Sequence, residues 1–495
     1  MKQALLLAIF GFSVAFAQQS KNFVAIKDSA SQKDIVTIAA NLTPSPSQLR
    51  WQGLELTAFF HFGVNTFTDR EWGDGKESPK LFNPTNLDAA QWVNICKQAG
   101  IKQVIITAKH HDGFCLWPSK FTDHSVKNSP WKNGNGDVVK EVADACHKKG
   151  IGFGVYLSPW DRNNPDYGDS EKYNDYFLNQ LAELLSNYGK VDEVWFDGAN
   201  GEGPNGRKPV YHFDAWFKII RMLQPQAIIS ITGPDVRWVG TESGYGRLTE
   251  WSVVPVSGQF AQDSQKDVAF PPQGDMTGDD LGSRNKIMKA KALAWYPAET
   301  DVSIRPGWFY HPSEDLRVKS PKKLLDIYFS SVGRNSVLLL NIPPDKRGLI
   351  NERDQKILRE FKKTLDQTFK TNLAAKARIT SANGIHAEAL IQNGSKAYWT
   401  TQGQDTTATI GMRLVKPRTF DVLLLQENIA VGQRIEKFSL EYLDGHHWNQ
   451  ITGGTTVGAK RLLRFKPVTA KTIRLKITSS RLNPTLSALG LYKQP

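Results

Sequence analysis

An aspartate at position 197 closes the short, largely apolar run Glu193-Val194-Trp195-Phe196 and is followed directly by Gly198. The run reads as a buried strand, and Gly198-Ala199-Asn200-Gly201 as its stop. A carboxylate at the exit of such a strand stands where a parallel barrel keeps its chemistry. Taken alone, an Asp before Gly equally well caps a turn, so its companions matter. His61 precedes Phe62-Gly63, His110 and His111 open the stretch HHDGF, and Tyr156 and Ser158 run up to Trp160. Each set ends a strand-like segment, so all gather with Asp197 on one rim. Imidazoles and a phenol suit hydrogen bonds to a ring of sugar hydroxyls. Trp72, Trp160 and Trp308 could wall the sugar's apolar face. His61, His110 and Asp112 also invite a metal reading. Zinc ligands need fixed geometry and an oriented outer shell, and adjacent His110 and His111 cannot easily both reach one ion from a strand. No metal or organic cofactor is therefore expected.

If Asp197 attacks a sugar carbon, a second carboxyl group must protonate the leaving oxygen. In a retaining glycosidase the two stand about 5–5.5 Å apart. Asp235, Glu242 and Glu250 all follow the fifth strand-like segment. Glu242 lies in the Gly-bracketed loop GPDVRWVGTESGYG, close to a Trp, where a mobile loop can raise a carboxyl pKa. Glu250, in TEW, falls in the next expected strand, where a structural hydrogen-bonding role fits equally. Glu242 is preferred and Glu250 is the alternative.

These residues need a scaffold, and the rhythm of the chain supplies one. Strand-like runs at 56–63, 102–110, 152–158, 193–197 and 227–232 alternate with helical patterns at 88–100, 138–150, 170–188 and 212–223. Such βα units imply parallel strands joined by right-handed crossovers. The pattern blurs over 233–300 and resumes with a strand at 301–305, a helix at 321–332, a strand at 337–342 and a helix at 351–369. A short strand near Trp251 would make eight. The fold class is therefore α/β, a (β/α)8-type barrel over residues 51–369. An open doubly wound sheet competes, but no Gly-rich phosphate loop follows the first strand. Short β segments after residue 370 read as a β-sandwich over 370–495. Residues 18–50 form a polar lead-in, expected to be partly loose.

A length of 495 residues has room for two or three domains. The 14 Trp and 25 Phe hint at carbohydrate, because indoles are frequent platforms for sugar faces. The net charge of +13 comes from scattered residues with small clusters at Lys362-Lys363 and 319–323. No long basic run occurs, so the charge reads as solvated surface and not as a nucleic-acid groove. A modest pull towards acidic glycans or membrane surfaces fits the same sign. Residues 1–17 look like a secretory signal, with Lys2, an apolar core over 4–14, and Ala15-Phe16-Ala17 as the cleavage site. The apolar run is too short for stable membrane insertion. An exported protein is expected, periplasmic in a Gram-negative bacterium and otherwise secreted. Three cysteines, Cys96, Cys115 and Cys146, argue against a disulfide framework. A Cys96–Cys146 bridge would depend on geometry.

Five motifs occur in one order: HFG at 61–63, AKHHDGF at 108–114, VYLSPW at 155–160, VWFDGANGEG at 194–203 and GPDVRWVGTESG at 233–244. Together, over about residues 45–365, they resemble glycoside hydrolase family 29, the exo-acting alpha-L-fucosidases. The resemblance implies a retaining double displacement with Asp197 as nucleophile. It implies that His61, His110, His111 and Tyr156 hold fucose hydroxyls, with Trp72 near the sugar and Trp308 on its methyl side. The RWVG-x-E segment is similar to the subgroup selective for alpha-1,3/1,4-linked fucose, which puts the acid/base on Glu242. Thr241 stands where many relatives carry Asn. The C-terminal region is similar to discoidin-like sandwiches and is expected to buttress the barrel. The implied partner is a fucosylated oligosaccharide or glycoconjugate. Rival classes are a sugar-binding protein without catalysis, a metal-dependent hydrolase, and an exo-glycosidase for a related L-sugar.

Overall fold

Among the described residues, eight parallel strands form one sheet that curls into a nearly closed barrel. This computed structural model describes residues 22–231, 233–256, 278–392 and 397–495. The expected signal segment lies outside them, as does Thr232 at the end of the fifth expected strand. In sheet order the strands are Ile228–Ile231, Glu193–Phe196, Gly152–Leu157, Gln103–Lys109, Leu56–Phe60, Ser336–Asn341, Ala298–Ser303 and Arg237–Trp238. Every residue of Leu56–Phe60 and Gln103–Lys109 is buried. Burial on both faces is what helices outside and packed side chains inside a parallel barrel impose.

The helices follow from their stripes and caps. Val138–Lys149 buries Val138, Val139, Val142, Ala143, Ala145 and Cys146 along one side. Asp137 caps its start by accepting the Lys140 N–H, and Gly150 ends it with φ +66°, a left-handed value that favours glycine. Such an N-cap contributes about 1 kcal/mol. Asp88 and Asp169 cap Ala89–Gln98 and Ser170–Asn187 in the same way. Cys96, Cys115 and Cys146 are free buried thiols, so no Cys96–Cys146 bridge forms. No helix of the described residues is long and apolar enough to cross a membrane.

Two expectations change. The segment near Trp251 does not complete the barrel. Val253–Val256 pairs antiparallel with Ala292–Trp295, which pairs with Phe23–Ala25 in a separate three-stranded sheet. Pro255 has no N–H to give, and its strand accordingly sits at the edge of that sheet. The remaining barrel strand is the two-residue Arg237–Trp238, pairing with Ala298–Ser303. The lead-in is folded from residue 22 onward. Capping boxes at Ser31/Asp34 and Ser45/Gln48 start the helices Gln32–Asn41 and Pro46–Gln52. Ile35, Val36, Ala39 and Leu42 pack on Val253, Leu293, Trp295 and Ile429. A helix burying one narrow stripe leaves a polar composition that mimics a loose segment.

The C-terminal part is antiparallel. Ala408–Gln426 and Arg461–Ser480 form its spine, with Arg378–Ser381, Ile435–Asp444, His447–Gly454 and Ala488–Tyr492 beside them. Ion pairs from Lys460 to Glu55 at 2.5 Å and from Arg464 to Asp326 at 2.7 Å tie it to the barrel.

Candidate active site

The C-terminal ends of the barrel strands bring the polar side chains to one rim, and the orientation of each can be followed bond by bond. Asn341 ends the strand Ser336–Asn341. Its NH2 group donates to Ser303 Oγ at 3.0 Å and to the Trp308 carbonyl at 2.7 Å. Its carbonyl oxygen is therefore the acceptor for the backbone N–H of His61 at 3.2 Å and for His61 Nδ1–H at 2.9 Å. A neutral His61 is left with Nε2 as a bare acceptor. Burial pushes its pKa down to about 3, with the Asn341 bond opposing and His111 adding.

His111 is fixed by the same logic. Ser158 Oγ–H donates to the Trp160 carbonyl at 2.7 Å. A hydroxyl has one proton, so Ser158 Oγ accepts from His111 Nδ1–H at 2.7 Å. His111 Nε2 then points at Asp197, 3.9 Å from Oδ2. His110 stacks on Tyr156 with ring centroids 5.8 Å apart, and its Nδ1 has no hydrogen-bond partner among the described residues. Burial lowers both pKa values, and the neighbouring imidazoles push His110 further. Three neutral imidazoles offer hydrogen bonds to hydroxyls and not counter-charges to an anion.

Asp197 follows the strand Glu193–Phe196. The fully buried Tyr156 donates its hydroxyl to Asp197 Oδ2 at 2.9 Å, and the Ala199 N–H donates to Oδ1 at 2.7 Å. Both carboxylate oxygens are thus aimed, one by a donor from the neighbouring strand and one by a donor from Asp197's own loop. Glu242 lies at the exposed tip of the loop after Arg237–Trp238. Its Oε2 accepts the Trp308 indole N–H at 3.1 Å. Partial burial and the carboxylates of Asp197 and Glu71 raise the Glu242 pKa, while the Trp308 bond opposes them.

His61, Trp72, His110, His111, Tyr156, Asp197, Glu242 and Trp308 all line one cavity with about 470 Å³ of unfilled space. Trp72 is 55% exposed and stands edge-on to His111 at 5.5 Å, so it forms the outer wall. Among the described residues, no lysine or arginine lines the cavity. The two other carboxyl candidates lie elsewhere. Glu250 is 1% exposed and ion-paired with the buried guanidinium groups of Arg237 and Arg247. Asp235 takes two bonds from Arg221, at 2.6 and 2.5 Å, and the Ile229 N–H.

The family model for alpha-L-fucosidases matches residues 27–368. The chain belongs to the alpha-L-fucosidase family. It is a glycoside hydrolase. An F5/8 type C domain model matches residues 373–488. Alpha-L-fucosidase 1 of Arabidopsis thaliana is 45% identical over 463 residues, covering 91% of this chain and 87% of the plant protein. A solved chain from Bacteroides ovatus is 52% identical with a TM-score of 0.86, covering 96% of this chain and 78% of that one. A Ruminococcus gnavus fucosidase of glycoside hydrolase family 29, solved in complex with fucose, is 33% identical with a TM-score of 0.82. It covers 92% of this chain and 95% of its own.

The fucosidase cavity also holds residues that the pattern of the sequence does not single out. Phe59 and Trp195 form its floor, with centroids 4.9 Å apart. Glu71 accepts the backbone N–H groups of Trp308 at 2.7 Å and Phe309 at 3.1 Å, and it meets His311 Nε2 at 2.6 Å. The signal for Glu71 is its place directly before Trp72. Asp301 accepts the Trp238 indole N–H at 2.8 Å. Burial pushes its pKa up to about 8, and Glu242 and Asp197 add to this against the Trp238 bond. A strand expected to begin at 301 hides Asp301, because the strand runs Ala298–Ser303 and places Asp301 towards its C-terminal end.

Proposed function

We propose that this alpha-L-fucosidase is a retaining exo-enzyme in which Asp197 is the nucleophile and Glu242 the acid/base. The observation that carries the reading is that the two carboxyls line one cavity in contrasting settings. Asp197 is oriented by two donors, whereas Glu242 is held protonated to higher pH by burial and by its carboxylate neighbours. A fucose ring in the cavity meets the acceptor nitrogens of His61 and His111, with His110 and Tyr156 beside them. An Asp197 oxygen bonds to the anomeric carbon as the glycosidic C–O bond breaks. The leaving glycan oxygen takes the Glu242 proton. Glu242, now a carboxylate, takes a proton from a water molecule whose oxygen attacks the same carbon. That step frees fucose and restores both carboxyl groups to their starting states.

The preferred substrates are terminal alpha-1,3/1,4-linked fucosides of branched glycans, a reading supported by the RWVG-x-E loop that carries Glu242. Trp72 and Trp308 wall the sugar in this account. The residues 1–17 support export to the periplasm or medium. The test is the first anomer released from an aryl alpha-L-fucoside, followed by proton NMR, together with a linkage panel. Initial release of alpha-L-fucose and a preference for Lewis-type over alpha-1,2-linked oligosaccharides support the reading. Initial beta-L-fucose would overturn the double displacement, and a preference for alpha-1,2 linkages would overturn the subgroup.

A further inference from the structure

The charge of this protein is unevenly placed. Residues 371–495 carry 17 Lys and Arg against 7 Asp and Glu, so about a quarter of the chain holds +10 of the net +13. Much of the excess collects on one part of the C-terminal sheet. Arg378 stands directly opposite Arg413 in the antiparallel register, and Arg413 stands opposite Thr472. Arg418 borders the irregularity between the two long strands, and Lys416 and Lys471 lie within it. All five side chains are exposed, and none of them meets a carboxylate among the described residues. The nearby acid Glu441 is already taken by Arg474 at 2.6 Å and Lys476 at 3.5 Å.

Two arginines directly opposite in a sheet destabilise it. An exposed sheet gains nothing from such a pair in folding, because surface charge is easily neutralised by substitution. A ligand that brings the negative charge itself relieves the repulsion. We infer that this basic face of the C-terminal domain docks a polyanionic glycan, one bearing sulfate or carboxylate groups along its chain. The cations are spread over two paired strands and the register break beside them, with no enclosing pocket lined by them among the described residues, which matches a repeating polymer better than one small anion. A glycan is the occupant because the barrel of the same chain is a fucosidase, and fucose is removed from glycans. Docking would hold the enzyme on acidic, fucose-bearing polymers while leaving the cavity chemistry untouched.

The full-length protein tests this with dextran sulfate and polygalacturonate as probes and uncharged dextran as control. Binding to one or both polyanions, absent for dextran, is expected at low salt and should weaken steeply as NaCl rises. The double variant Arg413→Glu/Lys471→Glu should bind at least about tenfold more weakly and with a shallower salt dependence, as expected when cationic contacts to a polyanion are lost. Its turnover of an aryl fucoside should be unchanged, which also shows that it is folded. A charge-matched variant on the barrel helices, Lys148→Glu/Lys218→Glu, should keep wild-type affinity. Four results overturn the proposal: no polyanion binding at low salt, undiminished binding by the sheet variant, equal loss in the barrel variant, or binding confined to phosphatidylglycerol vesicles.

Discussion

The indole N–H of Trp308 donates to Glu242 Oε2 at 3.1 Å, so a residue from the loop after Ala298–Ser303 steadies the carboxyl at the tip of a different loop. This bond favours the charged carboxylate and opposes the burial that raises the Glu242 pKa.

Removing the indole N–H should therefore move the Glu242 pKa further up. In Trp308→Phe the alkaline limb of kcat/KM, which reports loss of the acid's proton, should shift to higher pH, by about half a unit to one unit for one lost hydrogen bond. The pH profile on a fucoside with a poor leaving group measures it. A shift to lower pH would contradict the assignment of that limb to Glu242.

Ser158 should matter for a reason visible only in its bonds. It accepts His111 Nδ1–H and donates to the Trp160 carbonyl. Ser158→Ala leaves the His111 proton unpartnered and frees the ring to adopt the other tautomer. The stability cost should be about 1–3 kcal/mol for a buried unsatisfied donor. Turnover should fall by roughly tenfold or more, as for other misoriented catalytic-site groups. Thermal unfolding and kcat/KM separate the two effects, and unchanged kinetics would remove His111 from the sugar site.

Asp301 predicts a pH dependence of stability. Its folded pKa of about 8 lies above its ordinary value of 3.8, chiefly through burial. The folded state then binds the proton more tightly, so this group's contribution becomes steadily less favourable as pH rises from about 4 to about 8. Asp301→Asn keeps an acceptor for Trp238 and removes the titration. The melting temperature of the variant relative to the native protein should rise across that window and level off above it. A difference that stays flat would show that Asp301 is not a buried acid.

Glu250 should behave oppositely to Glu242. Glu250→Ala strands the buried cations Arg237 and Arg247 and should cost about 3–5 kcal/mol, the usual penalty for breaking a buried pair. Azide should restore no activity to it. For Glu242→Ala the reverse is expected, with near-native stability and azide rescue on an activated aryl fucoside.

Much of the site could be read from the order of residues because barrel chemistry sits where strands end. His61, His110, Tyr156 and Asp197 close or follow recognisable apolar runs, and the structure gathers them in one cavity. Glu71 and Asp301 escape the pattern for different reasons. Glu71 reaches the cavity from the middle of a loop, where no periodicity marks position. Asp301 depends on a strand boundary, and an offset of three residues moves it to the wrong end of the strand. The barrel itself was readable except at Arg237–Trp238, since two residues carry no period. The strand expected near Trp251 belongs instead to a separate sheet, as Val253–Val256, where Pro255 suits an edge position.

Double displacement requires a covalent bond between Asp197 and the sugar. Incubation with a 2-deoxy-2-fluoro-L-fucosyl fluoride, followed by peptide mapping by mass spectrometry, tests this directly. A single fluorofucosyl adduct on the peptide containing Asp197, absent in Asp197→Ala, is the expected result. An adduct on Glu242, Glu71 or Asp301, with Asp197 unmodified, would contradict the account.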